Sequence, residues 1–133
     1  LVTPSRQLDA EIADRLRRTR LEHRIVRLLD KWQPILGVDV ADFHVKKMTS
    51  WGSLNPEVRR LWVSEALADM SDAALEYVIV HELAHLAIDE GPKGSGHDSR
   101  FYALLDRVLP TWRRRHARLG HGDVRAKTLP GMR

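Results

Sequence analysis

Two histidines four residues apart bracket a glutamate in the run His81-Glu82-Leu83-Ala84-His85. On an α-helix, four residues advance about 6 Å and turn about 400°. Both imidazoles then stand one turn apart on one face, where they can reach a single tetrahedral metal ion. Glu82 is rotated about 100° from His81. It can lie beside the open metal position and hydrogen-bond a water there instead of ligating. This is the placement of a general base in metal-assisted hydrolysis, as in metalloproteases.

A catalytic zinc ion takes a third protein ligand and keeps one position open, where water reaches a pKa of about 7. The chain has no cysteine, so that ligand must be His, Asp or Glu. His97 is the best placed. It follows the glycine-rich stretch Gly91-Pro92-Lys93-Gly94-Ser95-Gly96, which lets the chain reverse over the motif helix. Glu76 precedes His81 by five residues and points away from the His81–His85 face. Glu90 could approach, from the frayed end of the helix. His23, His44, His116 and His121 read as solvated or structural, with His116 the one that could line a cleft.

These residues need elements to hold them. Ser71 to Ile88 reads as the clearest helix, capped by Ser71 or Asp72, with Leu75, Val78, Ile79, Leu83 and Leu86 on its buried face. Asp98 can cap a helix over Ser99–Val108; Pro110 interrupts it, and Thr111–Leu119 forms a last helical piece. Ser5 to Trp32 reads as one long helix whose apolar stripe includes Leu8, Ile12, Leu16, Leu21, Ile25, Leu28, Leu29 and Trp32. Pro34 and Gly37 are expected to stop it. Val38 to Met48 alternates like a strand, with an irregularity near Asp42, and Val58 to Leu67 can form another. Thr49 to Pro56 is turn-rich.

At 133 residues the chain fits one domain and is too short for two. The expected division is a domain over 1–119 and a basic, mobile tail over 120–133. With 43% hydrophobic and 30% charged residues, wholesale disorder is excluded. No apolar run nears the ~18 residues of a membrane span. Leu1 to Arg20 is polar and charged, so no secretory signal is expected. Together with the absence of cysteine, this fits a cytoplasmic location. The pI of about 9.8 is concentrated late in the chain. From Trp112 onward, Arg113, Arg114, Arg115, Arg118, Arg125, Lys127 and Arg133 face a single acid, Asp123. The Arg113–Arg118 cluster could meet a polyanion.

Three stretches, in order, carry a family resemblance. Lys46-Lys47-Met48-Thr49-Ser50-Trp51-Gly52-Ser53 looks like a strand of basic-Met-x-Ser-Arg-Trp-Gly-Ser-Cys type. Tyr77 to Leu86 is close to the family's active-site helix. Gly96-His97-Asp98-Ser99-Arg100-Phe101-Tyr102, followed by Leu109-Pro110-Thr111-Trp112, is similar to its Asn/Gly-His-x-x-x-Phe-Trp segment. The chain thus resembles the zinc metallopeptidase-like domains of the YgjP/SprT group, within the zincin (minigluzincin-like) superfamily. The resemblance implies one zinc ion held by His81, His85 and His97, with Glu82 as catalytic base acting on peptide or protein substrates. It also implies that the Trp51 strand edges the cleft, where a substrate backbone can add alongside. Trp51, Gly52 and Tyr102 are the candidate cleft residues, and Tyr102 or Arg100 could stabilise an oxyanion. Phe101, Tyr102 and Trp112 otherwise read as core. The chain departs from the pattern in lacking the family's Arg before Trp-Gly, since Ser50 adjoins Trp51 directly, and in having Leu54 where the family has Cys.

The expected fold is α+β and zincin-like. A long N-terminal helix and the motif helix pack on a small, mostly antiparallel sheet of about three strands. Two other readings compete with peptide hydrolysis. The same water-activating site could cleave a phosphoester or phosphoanhydride, or the chain could be a DNA-associated module using the arginine cluster.

Overall fold

The computed structural model describes residues 4–88 and 97–121. In its second half, helix α1 (Pro4–Leu36) buries Leu21, Ile25, Leu29 and Trp32, which recur every three or four residues. Its first half does not follow the expected stripe. Leu8, Ile12 and Leu16 are exposed, as is every described side chain from Ser5 to Arg20. The reason is length. A helix of 33 residues runs about 50 Å, roughly twice the span of the helix it packs on. Periodicity reports a face but not how far its cover extends.

Pro34 does not end α1; the helix continues to Leu36. Pro34 forfeits one intrahelical bond in the last turn, where the loss is smallest. Gly37, at φ +69°, supplies the left-handed residue that closes the helix. Val38 N–H donates to the Gln33 carbonyl at 3.1 Å, and Val40 N–H donates to Gln33 Oε1 at 2.8 Å.

Three short strands follow: β1 (Asp42–Lys46), β2 (Gly52–Asn55) and β3 (Arg60–Ser64). Their spatial order is β1-β3-β2. β2 and β3 form an antiparallel hairpin with Gly52 opposite Val63. Asn55 Oδ1 accepts the Glu57 N–H at 3.0 Å in its turn. β1 pairs with β3 in parallel, Asp42 opposite Arg60 through Lys46 opposite Ser64. The sheet is therefore mixed, not mostly antiparallel. β2 packs against the motif helix and is an edge strand, with β1 on the other side of β3.

Ser64 caps a 3-10 turn (Glu65–Asp69), and Ser71 Oγ accepts the Ala74 N–H at 3.1 Å to start α2 (Asp72–Ala87). From Ala74 to Ala84 every residue of α2 except Glu76 is buried. A helix apolar around its full circumference is a central helix. α1, the sheet, α3 (Ser99–Val108) and α4 (Trp112–His121) surround it. Asp98 caps α3 as expected, accepting from Arg100 N at 3.0 Å and Phe101 N at 3.1 Å. α4 runs two residues past the expected domain boundary at 119. Residues 122–133 of the expected tail, and Gly91–Gly96, lie outside the described residues. No described helix is long and apolar enough to cross a membrane.

Glu76, the exception on α2, binds three helices together. Its carboxylate accepts from Lys31 Nζ at 2.9 Å, Trp32 Nε1 at 2.8 Å and Arg115 at 2.8 Å. Burial alone would raise its pKa; the hydrogen bonds from Lys31, Arg115 and Trp32 outweigh that and hold it at about 2. A carboxylate depressed in the folded state stabilises above its unfolded pKa, near 4.5, and loses that contribution as pH falls toward 2. Glu76→Ala is expected to cost about 2–4 kcal/mol at pH 7 and much less near pH 2. Denaturant melts at the two pH values check this; equal losses at both would refute it.

Candidate metal centre

His81 and His85 stand one turn apart on α2, and His97 enters from the residue before the Asp98 cap. Their ring centroids lie 5.2, 5.0 and 5.0 Å apart. One nitrogen from each comes within 4.8 Å of the others. His81 Nε2 and His97 Nε2 are 3.2 Å apart. Two nitrogens bound at 2.0–2.1 Å to one tetrahedral ion stand about 3.3–3.4 Å apart. The three rings are thus arranged for a single ion.

Phe101 positions them. Its ring stacks on His85 at 4.6 Å and packs against His81 and His97 at 5.1 and 5.0 Å. The sequence reading of Phe101 as a core residue joining the His97 helix to the motif helix fits this placement. The Asp98 cap fixes the start of α3, and with it both Phe101 and the exit of His97.

Glu82 is fully buried, and neither carboxylate oxygen has a hydrogen-bond partner among the described residues. Burial pushes its pKa well up. An ionised carboxylate so placed costs several kcal/mol without a compensating charge or donor. A cation at the adjacent histidine triad provides that charge, so the residues present fit a metal ion.

Gly52 begins β2 against the stem of the Glu82 side chain. A Cβ there would meet Val78 Cγ1 at 3.0 Å, Glu82 Cγ at 3.3 Å and the Trp62 carbonyl at 3.4 Å. Any side chain there would force Val78 or Glu82 to give way by a few tenths of an ångström, so glycine suits this close approach of the strand to α2. Gly52→Ala is expected to cost about 1–3 kcal/mol through overpacking, and to lower turnover by displacing Glu82. A melting temperature and kcat both equal to those of the unaltered protein would refute this.

The other candidate cleft residues diverge. The Trp51 side chain is wholly buried and belongs to the core. Tyr102 is 37% exposed, with its ring 6.2 Å from His97 and stacked on Trp112 at 5.5 Å, so it is not a core residue. Arg100 turns back to Asp98 at 3.0 Å. The arginine cluster is divided: Arg113 pairs with Asp106 at 2.6 Å, Arg115 pairs with Glu76, and Arg114 and Arg118 remain exposed.

Of two residues beside the triad, sequence gave Tyr77 no role and offered His116 only as a residue that could line a cleft. Tyr77 Oη lies 3.3 Å from His81 Nδ1 and 2.8 Å from His116 Nδ1. The available signal was Tyr77 four residues before His81, which puts both on one helix face.

A buried carboxylate beside three converging imidazoles, on a helix flanked by a sheet edge, defines the class: a metal-dependent hydrolase with a metallopeptidase centre. The profile of the YgjP-like metallopeptidase domain matches residues 2–121, and the chain belongs to that family. Among solved structures, it is similar to the metallopeptidase zymogen of Pyrococcus abyssi abylysin. The TM-score is 0.63 at 20% identity, covering 74% of this chain and 93% of that one, which is a likeness of fold. No curated protein sequence matches.

Proposed function

We propose that the chain is a zinc-dependent peptidase in which His81, His85 and His97 hold one ion and Glu82 is the general base. The observation carrying this is Glu82, buried without a hydrogen-bond partner among the described residues beside the three imidazoles. Zinc held there supplies Lewis acidity, polarising a scissile carbonyl and acidifying a water molecule. Glu82 takes the proton of the attacking water and passes it to the leaving amine.

The strand edge favours a peptide over a phosphoester. Trp51 O accepts from Ser64 N at 2.9 Å, which by the antiparallel alternation turns the amides of Gly52 and Leu54 away from β3. An extended substrate can add there as a further strand, its scissile bond brought toward Glu82 by the glycine. Tyr102, its ring 6.2 Å from His97, is a further candidate to contact the substrate. Cytoplasmic action is part of this reading, and the exposed Arg114 and Arg118 are available for an accessory phosphate-backbone contact.

The test is digestion of a peptide library by zinc-loaded protein, read by mass spectrometry, with Glu82→Gln in parallel. Cuts confined to the unaltered protein support the proposal. Cuts of equal extent in both would exclude Glu82 as the base. No cuts in either, with zinc shown to be bound, would move the reading to a non-peptide substrate.

A further inference from the structure

The triad accounts for one nitrogen of each imidazole. For His81 the other nitrogen is also engaged, through residues on two helices. Its Nε2 faces His97 at 3.2 Å, and its Nδ1 faces Tyr77 Oη at 3.3 Å. Tyr77 Oη reaches His116 Nδ1, on α4, at 2.8 Å. Both ring pairs, Tyr77–His81 and Tyr77–His116, meet edge to face at 5.7 Å.

We infer that Tyr77 and His116 are positioning residues for the metal centre, a hydrogen-bond chain that fixes the ring orientation and tautomer of His81. The inference rests on the zinc reading above. The proton order follows from valence. If Nε2 ligates, the neutral imidazole carries its proton on Nδ1 and donates to Tyr77 Oη. A phenol has one proton to give, and it goes to His116 Nδ1, which accepts as a bare nitrogen. Partial burial pushes His116 down, which favours the neutral acceptor. A ligating histidine held in one tautomer loses less freedom on binding metal and is a stronger base toward it.

Removing such a partner costs about tenfold to a hundredfold in metal affinity. Zinc affinity is measured by competition with a chromophoric chelator for the unaltered protein, Tyr77→Phe, His116→Leu, His116→Asn and the double variant Tyr77→Phe/His116→Leu. Cobalt(II) absorption spectra and metal-free melting temperatures are recorded alongside. The chain predicts about a tenfold or greater loss in Tyr77→Phe and in His116→Leu. It predicts no further loss in the double variant, because the two act through one path. His116→Asn, whose amide oxygen can accept from Tyr77, retains near-normal affinity and a normal cobalt spectrum. Normal affinity in His116→Leu overturns the inference while leaving the zinc reading intact. So do losses that add in the double variant. Failure of the unaltered protein to bind zinc overturns both.

Discussion

Glu82→Gln is expected to lower peptide hydrolysis by about 10²–10⁴-fold in kcat and to change zinc affinity only a few-fold. Gln keeps the volume of a side chain that is 0% exposed, so the packing against Gly52 and Val78 survives. It removes the group that can accept and return a proton. It also removes a buried carboxyl that has no hydrogen-bond partner among the described residues, so the metal-free protein should lose no stability. Turnover, zinc stoichiometry and a melt of the metal-free protein separate these effects. Lost turnover with lost zinc would reassign Glu82 to metal binding, and retained turnover would end its role as base.

Removing the ion should destabilise the fold as well as silence it. A ligand at 100–1,000 times its Kd stabilises by about 2.7–4.1 kcal/mol, or roughly 10 °C in Tm for a chain of this size. His81 and His85 sit on the central helix, and His97 enters from the start of α3. Chelation should therefore loosen α3 against α2. His85→Ala should melt at the chelated temperature whether or not zinc is present. His97→Ala should behave likewise if His97 is the third ligand, and a zinc-dependent Tm in that variant would remove it from the set. Identical melting of the unaltered protein with and without chelator would argue against a well-occupied site.

Much of the site was legible because its rules are local. The His-x-x-x-His interval, the Asp98 cap and the span of α3 each depend on residues within one turn of each other. What was not legible depends on distant partners. Pro34 reads as a stop, but the helix tolerates it because Gly37 and the Gln33 carbonyl close the last turn. From residue types alone, Thr49–Pro56 reads as turns; β2 forms there because β3 and α2 give Gly52 a place to lie. The parallel pairing of β1 depends on which edge of the hairpin remains, which no strand's own sequence states. His116 lies in a run of arginines, and its link to the triad exists only because α4 packs on α2. Glu76 points away from the metal face, as its spacing said, but its three donors come from two other helices.

α1 is one helix in its backbone and two in its energetics. From Leu21 onward it is held in the core by Leu21, Ile25, Leu29 and Trp32, and Arg24 donates to the Met70 carbonyl at 2.9 Å and to Asp72 at 2.8 Å. Arg17 and Arg18 reach Asp69 and Glu65 and are its last ties to the 3-10 turn. Before them lie roughly three turns whose described side chains are all exposed, a length at which a lone helix in water is only marginally formed. Opening of α1 should therefore begin at its N-terminal end and halt near Arg17. Its amide protons would exchange with solvent along a gradient, fast at Leu8 and slow at Ile25, within a single unbroken helix.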